Sequence, residues 1–559
     1  MMTLGNLALV EQPEQNLGAL FFNKIETGLK RSALTTCSNW AEQYRVMGKP
    51  YPGLWNFKHH PWLRGMHDSK AELNVGRKAA QMGYTELLLN WTFFNIDIRG
   101  ESVLYVLPND DNAGIFSSSR FDAALELSPH LDTMFSDVKN TKHKRAGSAN
   151  LYIRGSRSKV NLVSVPVGRC AIDELDKMVV EHIPLVWERM SGQLDKQMWM
   201  VSTPTVPDFG IDVPYKQSTM EHFFFPCPCC SKQTELTFPE SVEIRGKDAF
   251  DPSVKESYLI CTSCKGKLDH ATKTDWLAKG EWVSQNSQAT SRGFYINQLY
   301  SGTVSPAEIV SQYFKAMINP ADEQEFYNSK LGLPHIVEGA RVNDSEIKDC
   351  SSAYKNGADS SRSHIVTMGV DVGKWLNVEV CEWIPAPVSS DSDMHMNFIP
   401  RILFEGKVVD FNELDKFVMK YATNCVVIDA NPERRESLKF CARFPGIAYA
   451  CFYGRDQKSR DTILGSELPT VTVDRTSWMD LAISRFSAKR IKIPMDAEME
   501  YKEHMKAVVK VYEKDDNGNP VAKFMNVGPD HFAHSRTYSE IAFNLAAKTA
   551  GYKDIGGIF

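Results

Sequence analysis

Three sets of residues in this 559-residue chain have the types and spacings that chemistry requires. The first is Gly76-Arg77-Lys78-Ala79-Ala80-Gln81-Met82-Gly83-Tyr84-Thr85, followed by a long apolar run. A strand, a loop and a helix in that order turn backbone N–H groups and a helix N-terminus toward phosphates, with a Ser or Thr hydroxyl on Mg²⁺. Thr85 stands at the hydroxyl position and Gly83 where the backbone must come close. The position before Thr85, usually Lys, holds Tyr84, so Lys78 is the nearest cation able to fold back. The bland alternative is a basic turn ahead of a core helix. Downstream, 167–174 is an apolar run ending in two acids. Asp173 there could hold Mg²⁺ through water, and Glu174 could polarise an attacking water. A further run, 198–202, leads into Thr203-Pro204 and places Ser202 and Thr203 where a hydroxyl can report on a γ-phosphate. Together these features point to ATP hydrolysis.

The second set is Cys227-x₂-Cys230 and Cys261-x₂-Cys264, with 30 residues between the pairs. Two such pairs suit one tetrahedral Zn²⁺, and four thiolates leave no open position for catalysis. Cys229 competes with Cys230 for a place in that set. The third set is Asp371 in an apolar strand, Asp429 at the end of another, and Asp530-His531-Phe532-Ala533-His534 at the start of the final helix. Acids from a first strand, a later strand and a C-terminal helix, in an RNase-H-like order, suit two-metal phosphodiester cleavage. Taken singly, a strand-end Asp caps turns and Asp530 could cap its helix.

A basic stretch from 139 to 159 carries Lys139, Lys142, Lys144, Arg145, Arg154, Arg157 and Lys159 with no acid. It reads either as a solvated hairpin or as a sequence-independent contact to a phosphate backbone. The whole chain is not basic: 64 Lys and Arg against 69 Asp and Glu give −5. Any grip on nucleic acid is therefore local, brief or supported by partners. The composition, 43% hydrophobic and 24% charged, is that of a folded globular protein and excludes a disordered chain. No run approaches 18 apolar residues, and the N-terminus lacks a basic, apolar leader, so the expected setting is a reducing cytoplasm.

These residues need two α/β frameworks. Strands are expected at 71–75, 102–107, 151–153, 162–165, 170–173 and 198–202, with helices at 85–95 and 119–127, which describes a mainly parallel sheet. The zinc knot interrupts at about 222–270, and a helical stretch follows at 306–331. A polar linker is expected at 344–363. A second alternation has strands at 365–372, 377–383, 398–409 and 425–429, and helices at 412–421, 432–444 and 531–548. The expected division is a lead-in (1–60), a first domain (61–343), the linker, a second domain (364–549) and a tail (550–559).

In the Arg77–Glu86 loop, the 147–174 run, Ser202-Thr203-Pro204, the Cys-x₂-Cys pairs, 326–334, Gly369–Gly373 and 530–538, the sequence resembles the large subunit of a tailed-phage DNA-packaging terminase of the lambda type. The resemblance covers roughly residues 40–550. It implies a P-loop ATPase domain with a zinc-ribbon insertion and a C-terminal RNase-H-like nuclease domain. It places Arg77, Lys78, Gln81, Gly83, Tyr84 and Thr85, with Asp173, Ser202 and Thr203, around ATP and Mg²⁺, with Arg77 as a second cation or a finger acting on a neighbouring subunit, and makes Glu174 the water-activating acid. It implies that Asp371 and Asp429 cut concatemeric DNA with Mg²⁺ or Mn²⁺, the third ligand being Asp530 or His534. Many relatives carry an acid where His534 stands. The implied partners are double-stranded DNA, a terminase small subunit and the procapsid portal, with a homo-oligomeric ring when docked in the host cytoplasm. Two other readings are a helicase–nuclease of repair or recombination, and a non-enzymatic zinc-ribbon adaptor for nucleic acid.

Overall fold

Strands Val103–Leu107 and Arg169–Asp173 are buried at every residue, as strands covered on both faces must be. They belong to an 11-stranded sheet in a computed structural model that describes residues 35–135, 138–163, 165–386, 394–454 and 459–550. The order runs Gln233–Thr234, Glu221–Pro226, Arg292–Ile296, Leu73–Lys78, Gln197–Ser202, Arg169–Asp173, Val103–Leu107, Ala149–Gly155, His143–Ala146, Val138–Asn140, and the eleventh strand, Glu281–Val283, pairs antiparallel with Glu221–Pro226. From Glu221–Pro226 to Ala149–Gly155 neighbouring strands are parallel. Their C-terminal ends thus share one edge, where ligands of open α/β sheets bind. Helix Tyr84–Asp97 packs one face with Leu88, Trp91 and Phe93, while Ile183, Val186 and Met190 cover the other. This is the P-loop ATPase fold. The cysteine-rich insertion leaves from Glu221–Pro226 and returns through the adjacent parallel strand Arg292–Ile296.

The chain divides into two units: Met1–Met317 with Glu325–His335, and Ile318–Gln324 with Ile336–Phe559. The sheet of the second unit runs Phe398–Val408, Leu376–Pro385, Ile365–Val372, Cys425–Asp429, Ala448–Gly454, Thr470–Asp474, Ile463–Leu464. The first three form an antiparallel meander, and the next three continue in parallel from Ile365–Val372. Helix His531–Thr549 crosses Ile365–Val372 so closely that a Cβ at Gly369 would stand 2.0 Å from the Ser535 carbonyl oxygen. Its position is fixed by a buried ion network. Arg536 meets Glu379 at 2.7 Å and Glu540 at 2.8 Å, and Arg485 also binds Glu540 at 2.8 Å through Nε. Breaking such a buried network by removing one partner costs about 3–5 kcal/mol. This meander, parallel extension and covering C-terminal helix make the second unit RNase-H-like.

Several expectations change. The strand expected at 162–165 is not seen: Lys159–Val163 is helical, and residue 164 lies outside the described residues. The stretch 306–331 breaks into Pro306–Ala316, Pro320–Glu325 and a π-helix Phe326–Leu331, because Pro320 disfavours helical backbone before it. The expected helix 119–127 likewise begins as a π-helix, Ser117–Asp122. The expected linker is folded: Asn343 and Glu346 form a reciprocal capping box on helix Asp344–Cys350, and Ser351–Ser352 pairs with Ile493–Pro494. Of the lead-in, helix Cys37–Tyr44 and the pair Val46–Met47 with Gly53–Leu54 are described; residues 1–34 and 551–559 lie outside the described residues. Among the described residues no helix is long and apolar enough to cross a membrane.

Candidate functional site

Strand Leu73–Lys78 runs three residues beyond its expected end because Arg77 and Lys78 pair with Tyr295 and Ile296. The loop that follows is braced from outside. Ala79 N–H donates to the Ile296 carbonyl (2.9 Å), Ala80 N–H to that of Ser329 (2.8 Å), and Gln298 Nε2 to the Ala80 carbonyl (2.8 Å). Gln81 and Gly83 both have positive φ, 61° and 84°. Gly83 is the N-cap and gives no side-chain cap, which leaves the first N–H groups of helix Tyr84–Asp97 for an anionic ligand.

Around the loop the expected residues divide. Lys78 is buried; its Nζ donates to Thr203 Oγ1 at 3.3 Å and lies 3.9 Å from Glu174. Thr85 Oγ1 (3.0 Å) and Tyr105 OH (2.9 Å) both donate to Asp173 Oδ2, while Asp173 Oδ1 is buried with no hydrogen-bond partner. That orphaned oxygen beside Thr85 fits a divalent cation. Burial, with Glu174 next to it, pushes the Asp173 carboxyl up to about 6. Burial also acts on Glu174, but Lys78 and Lys177 hold it below the usual carboxylate range, ionised and ready to accept a proton. Ser202 Oγ accepts from Asp176 N–H at 3.1 Å, and the Asp176 carboxylate accepts from Thr205 and Ile211 N–H groups, each at 2.8 Å. Ser202 thus ties the strand end to the next loop, and Thr203 is the hydroxyl that meets Lys78.

Arg77 and Tyr84 are corrections. Arg77 points to the opposite side of the strand from Lys78, binds Asp212 at 3.1 Å and stacks on Tyr215 and Tyr295. It is a core cation, placed neither on phosphates nor for reaching another subunit. Tyr84 is buried against Gly76, its hydroxyl without a partner, so it packs beneath the loop. The basic stretch forms the hairpins Val138–Asn140, His143–Ala146 and Ala149–Gly155. Lys144 is fully buried on Asp122 at 2.6 Å and cannot reach a nucleic acid; Lys139 and Lys142 pair with Asp132 and Asp110.

Cys227, Cys230, Cys261 and Cys264 bring their sulfurs within 4.8 Å of one another. The two turns are alike. Cys227 N–H donates to Lys232 and Cys261 N–H to Gly266, with the left-handed residues Ser231 and Lys265 at matching places. Cys229 N–H and Gly266 N–H point at Cys227 Sγ and Cys264 Sγ, both at 3.4 Å. Four converging sulfurs fit Zn²⁺, and Cys229 stays outside the set. The knot also reaches the loop: Leu236 N–H donates to Tyr300 OH and Asn297 Nδ2 to the Leu236 carbonyl, one residue before the Gln298 that holds Ala80.

In the second unit Asp371 and Asp429 end the neighbouring parallel strands Ile365–Val372 and Cys425–Asp429. Burial and the Asp371 charge push Asp429 up to about 6, against the N–H of Asn431. His531 Nδ1 donates to Asp371 Oδ2 at 2.9 Å, and that bond raises the imidazole above its ordinary value. Asp530 does not cap its helix; its carboxylate meets His534 Nε2 at 3.3 Å and Arg475 at 3.9 Å. Although burial opposes it, these cations hold Asp530 below the usual range. His534 Nδ1 is joined to Tyr453 OH at 2.9 Å. The acids therefore share one end of the sheet, and the cysteine cluster is the tight metal-ligand group among the described residues. Two carboxylates without a cation repel, which the histidines relieve. Sequence reasoning passed over His531, Tyr105 and Gln298; their partners come from distant segments, and only the His531 position next to an acid offered a signal.

A family model described as the phage terminase large subunit gpA ATPase domain matches residues 50–282, and one described as the gpA endonuclease domain matches 291–387. The terminase large subunit of Enterobacteria phage P21 is 22% identical over 329 residues, 53% of this chain and 51% of that protein. The match thus spans about half the length of that relative. The HK97 bacteriophage large terminase structure is similar at TM-score 0.48 and 12% identity, covering 91% of this chain and 99% of that one. The magnesium-bound nuclease of the large terminase of thermophilic phage G20c is similar at TM-score 0.22 and 13% identity, covering 35% of this chain and 94% of that one.

Proposed function

The chain belongs to the phage terminase large subunit gpA family, and from that premise we propose that it is the ATP-driven motor that moves double-stranded DNA into a procapsid and cuts the concatemer. The observation that carries the reading is Lys78 lying between Glu174 and Thr203 at the strand end that opens a phosphate loop. Lys78 and the N–H groups at the start of helix Tyr84–Asp97 bind the phosphates of ATP, with Gln81 and Gly83 shaping the turn. Thr85 and Asp173 would hold Mg²⁺, which neutralises the phosphate charge during transfer. Glu174, kept ionised by Lys78 and Lys177, orients and deprotonates the attacking water. Thr203 loses or keeps Lys78 according to whether a γ-phosphate competes for it, and Ser202 passes that change to the Asp176 loop.

Zn²⁺, a structural ion in a closed four-sulfur site, would be held by Cys227, Cys230, Cys261 and Cys264. Asp371 and Asp429 would hold the Mg²⁺ or Mn²⁺ that activates water for DNA cleavage. Asp530 orients His534 through its Nε2, and the two stay paired at the site. Supporting motor plus nuclease over a helicase–nuclease, the second unit carries acid-tipped strands in an RNase-H-like order where a helicase needs a second motor domain. The small subunit, the portal, a homo-oligomeric ring and a cytoplasmic setting in the host are part of this proposal. The test is packaging in vitro: purified chain, small subunit, portal-bearing procapsids and linear DNA with ATP. Nuclease-resistant DNA in the capsid is expected, and ATP turnover that DNA does not stimulate sinks the reading.

A further inference from the structure

Three side chains at the start of helix His531–Thr549 offer themselves to a metal, and only one of them has Asp371 itself as its partner. Asp530 is held between His534 and Arg475. Both ring nitrogens of His534 are taken, Nε2 by Asp530 and Nδ1 by Tyr453. His531 differs: it is half-exposed, and its Nδ1 stands 2.9 Å from Asp371 Oδ2. Two donors on neighbouring corners of an octahedron, with bonds of about 2.1 Å, sit about 3 Å apart. The pair therefore already has the separation that a shared ion requires.

A second observation marks the same place. Asn377 stands directly opposite Asp371 on the antiparallel strand Leu376–Pro385, so the two side chains share a face. Asn377 is buried, and its amide oxygen has no hydrogen-bond partner. An amide oxygen left bare inside a protein is destabilising unless something satisfies it. A divalent cation between Asp371 and His531 is a ligand of the right chemistry.

We propose that His531 is a metal ligand beside Asp371, and that its imidazole makes this site favour Mn²⁺ over Mg²⁺. The proposal rests on the metal-nuclease reading of the second unit. Its chemistry is donor type. Mg²⁺ is bound through carboxylates and keeps its waters, whereas imidazole is a donor for first-row transition ions. Replacing an oxygen ligand by a ring nitrogen therefore disfavours Mg²⁺ first.

The test is metal binding by the full chain without nucleotide, using the electron paramagnetic resonance signal of free Mn²⁺, with Mg²⁺ as competitor. Parent, His531→Ala, His531→Asp and Asp371→Ala are compared, their folding checked by circular dichroism. The expected result is loss of the Mn²⁺ site in Asp371→Ala and at least about tenfold weaker Mn²⁺ binding in His531→Ala. His531→Asp should bind again with the preference moved toward Mg²⁺. Unchanged Mn²⁺ affinity in His531→Ala, with loss in Asp371→Ala, overturns the ligand role and leaves the nuclease reading standing. Unchanged affinity in both overturns the metal site itself. Equal weakening of both ions in His531→Ala overturns the selectivity.

Discussion

In the first unit Lys78 stands among the acids, 3.9 Å from Glu174, while in the second Asp371 is met by an imidazole at 2.9 Å. The difference follows from what each site receives. A site for a polyphosphate needs a permanent cation, and a lysine can be buried when acids and hydroxyls surround it. A site for divalent ions needs acids whose charge is not already cancelled by a fixed cation. An imidazole held by such an acid can give up its proton and exchange roles when an ion arrives. The two units thus use the same residue type, an acid at the tip of a parallel strand, for opposite electrostatic ends.

Five perturbations separate the two sites. Glu174→Gln should lower DNA-stimulated ATP hydrolysis by about 10²–10⁴-fold while nucleotide binding persists, read by phosphate release and by titration with a fluorescent ATP analogue. Intact turnover would mean that Lys78 serves a structural acid. Asp371→Ala should reduce Mn²⁺-dependent cutting of plasmid to background with ATP hydrolysis unchanged, separating the two sites functionally.

Cys261→Ser should remove zinc, measured by elemental analysis, and destabilise the first unit by on the order of 4 kcal/mol in urea. It should also weaken nucleotide binding through Leu236, Asn297 and Gln298. Zinc loss with no change in nucleotide affinity would sever the knot from the loop.

The fourth concerns pH. Asp429 is raised to about 6 in the fold, above its unfolded value of about 3.9. Its charged form therefore costs stability above about pH 6, and the metal-free fold gains as pH falls from there toward about 4. Mn²⁺ requires the charged form, so affinity should fall by roughly tenfold per unit below about pH 6. A flat titration between pH 5 and 7.5 would place the ion elsewhere. The smallest effect belongs to Tyr84→Phe, which removes a buried hydroxyl without a partner and should alter stability and ATP affinity by less than about 1 kcal/mol.

Much of both frameworks was legible in the sequence. Cys425–Asp429 has the bounds its apolar run and terminal acid indicate, and the cysteine pairs converge as their spacing requires. Arg77 shows where such reading stops. Ending the strand at 75 puts Arg77 and Lys78 together in a loop, whereas pairing with Arg292–Ile296 carries the strand through both and sends them to opposite faces. That partner strand lies more than 200 residues away in sequence, beyond any local pattern. The residue of Asp530–His534 that meets Asp371 is likewise decided by helix docking over Gly369, a tertiary contact. The folded segment at 344–352 was different: Asn343 and Glu346 spell a capping box, but the surrounding Ser, Lys and Asp masked it.

The strand Arg292–Ile296 also sets an order of events during synthesis. It pairs with Leu73–Lys78, and its last carbonyl anchors Ala79 at the root of the phosphate loop. At about 5–20 residues per second, the nascent chain carries an unfinished loop for roughly 10–40 s before that strand emerges. Both cysteine pairs leave the ribosome within that interval, so the metal knot can close first and present the missing strand beside Glu221–Pro226. The brace on the loop therefore arrives late and all at once, with the second unit still to be translated.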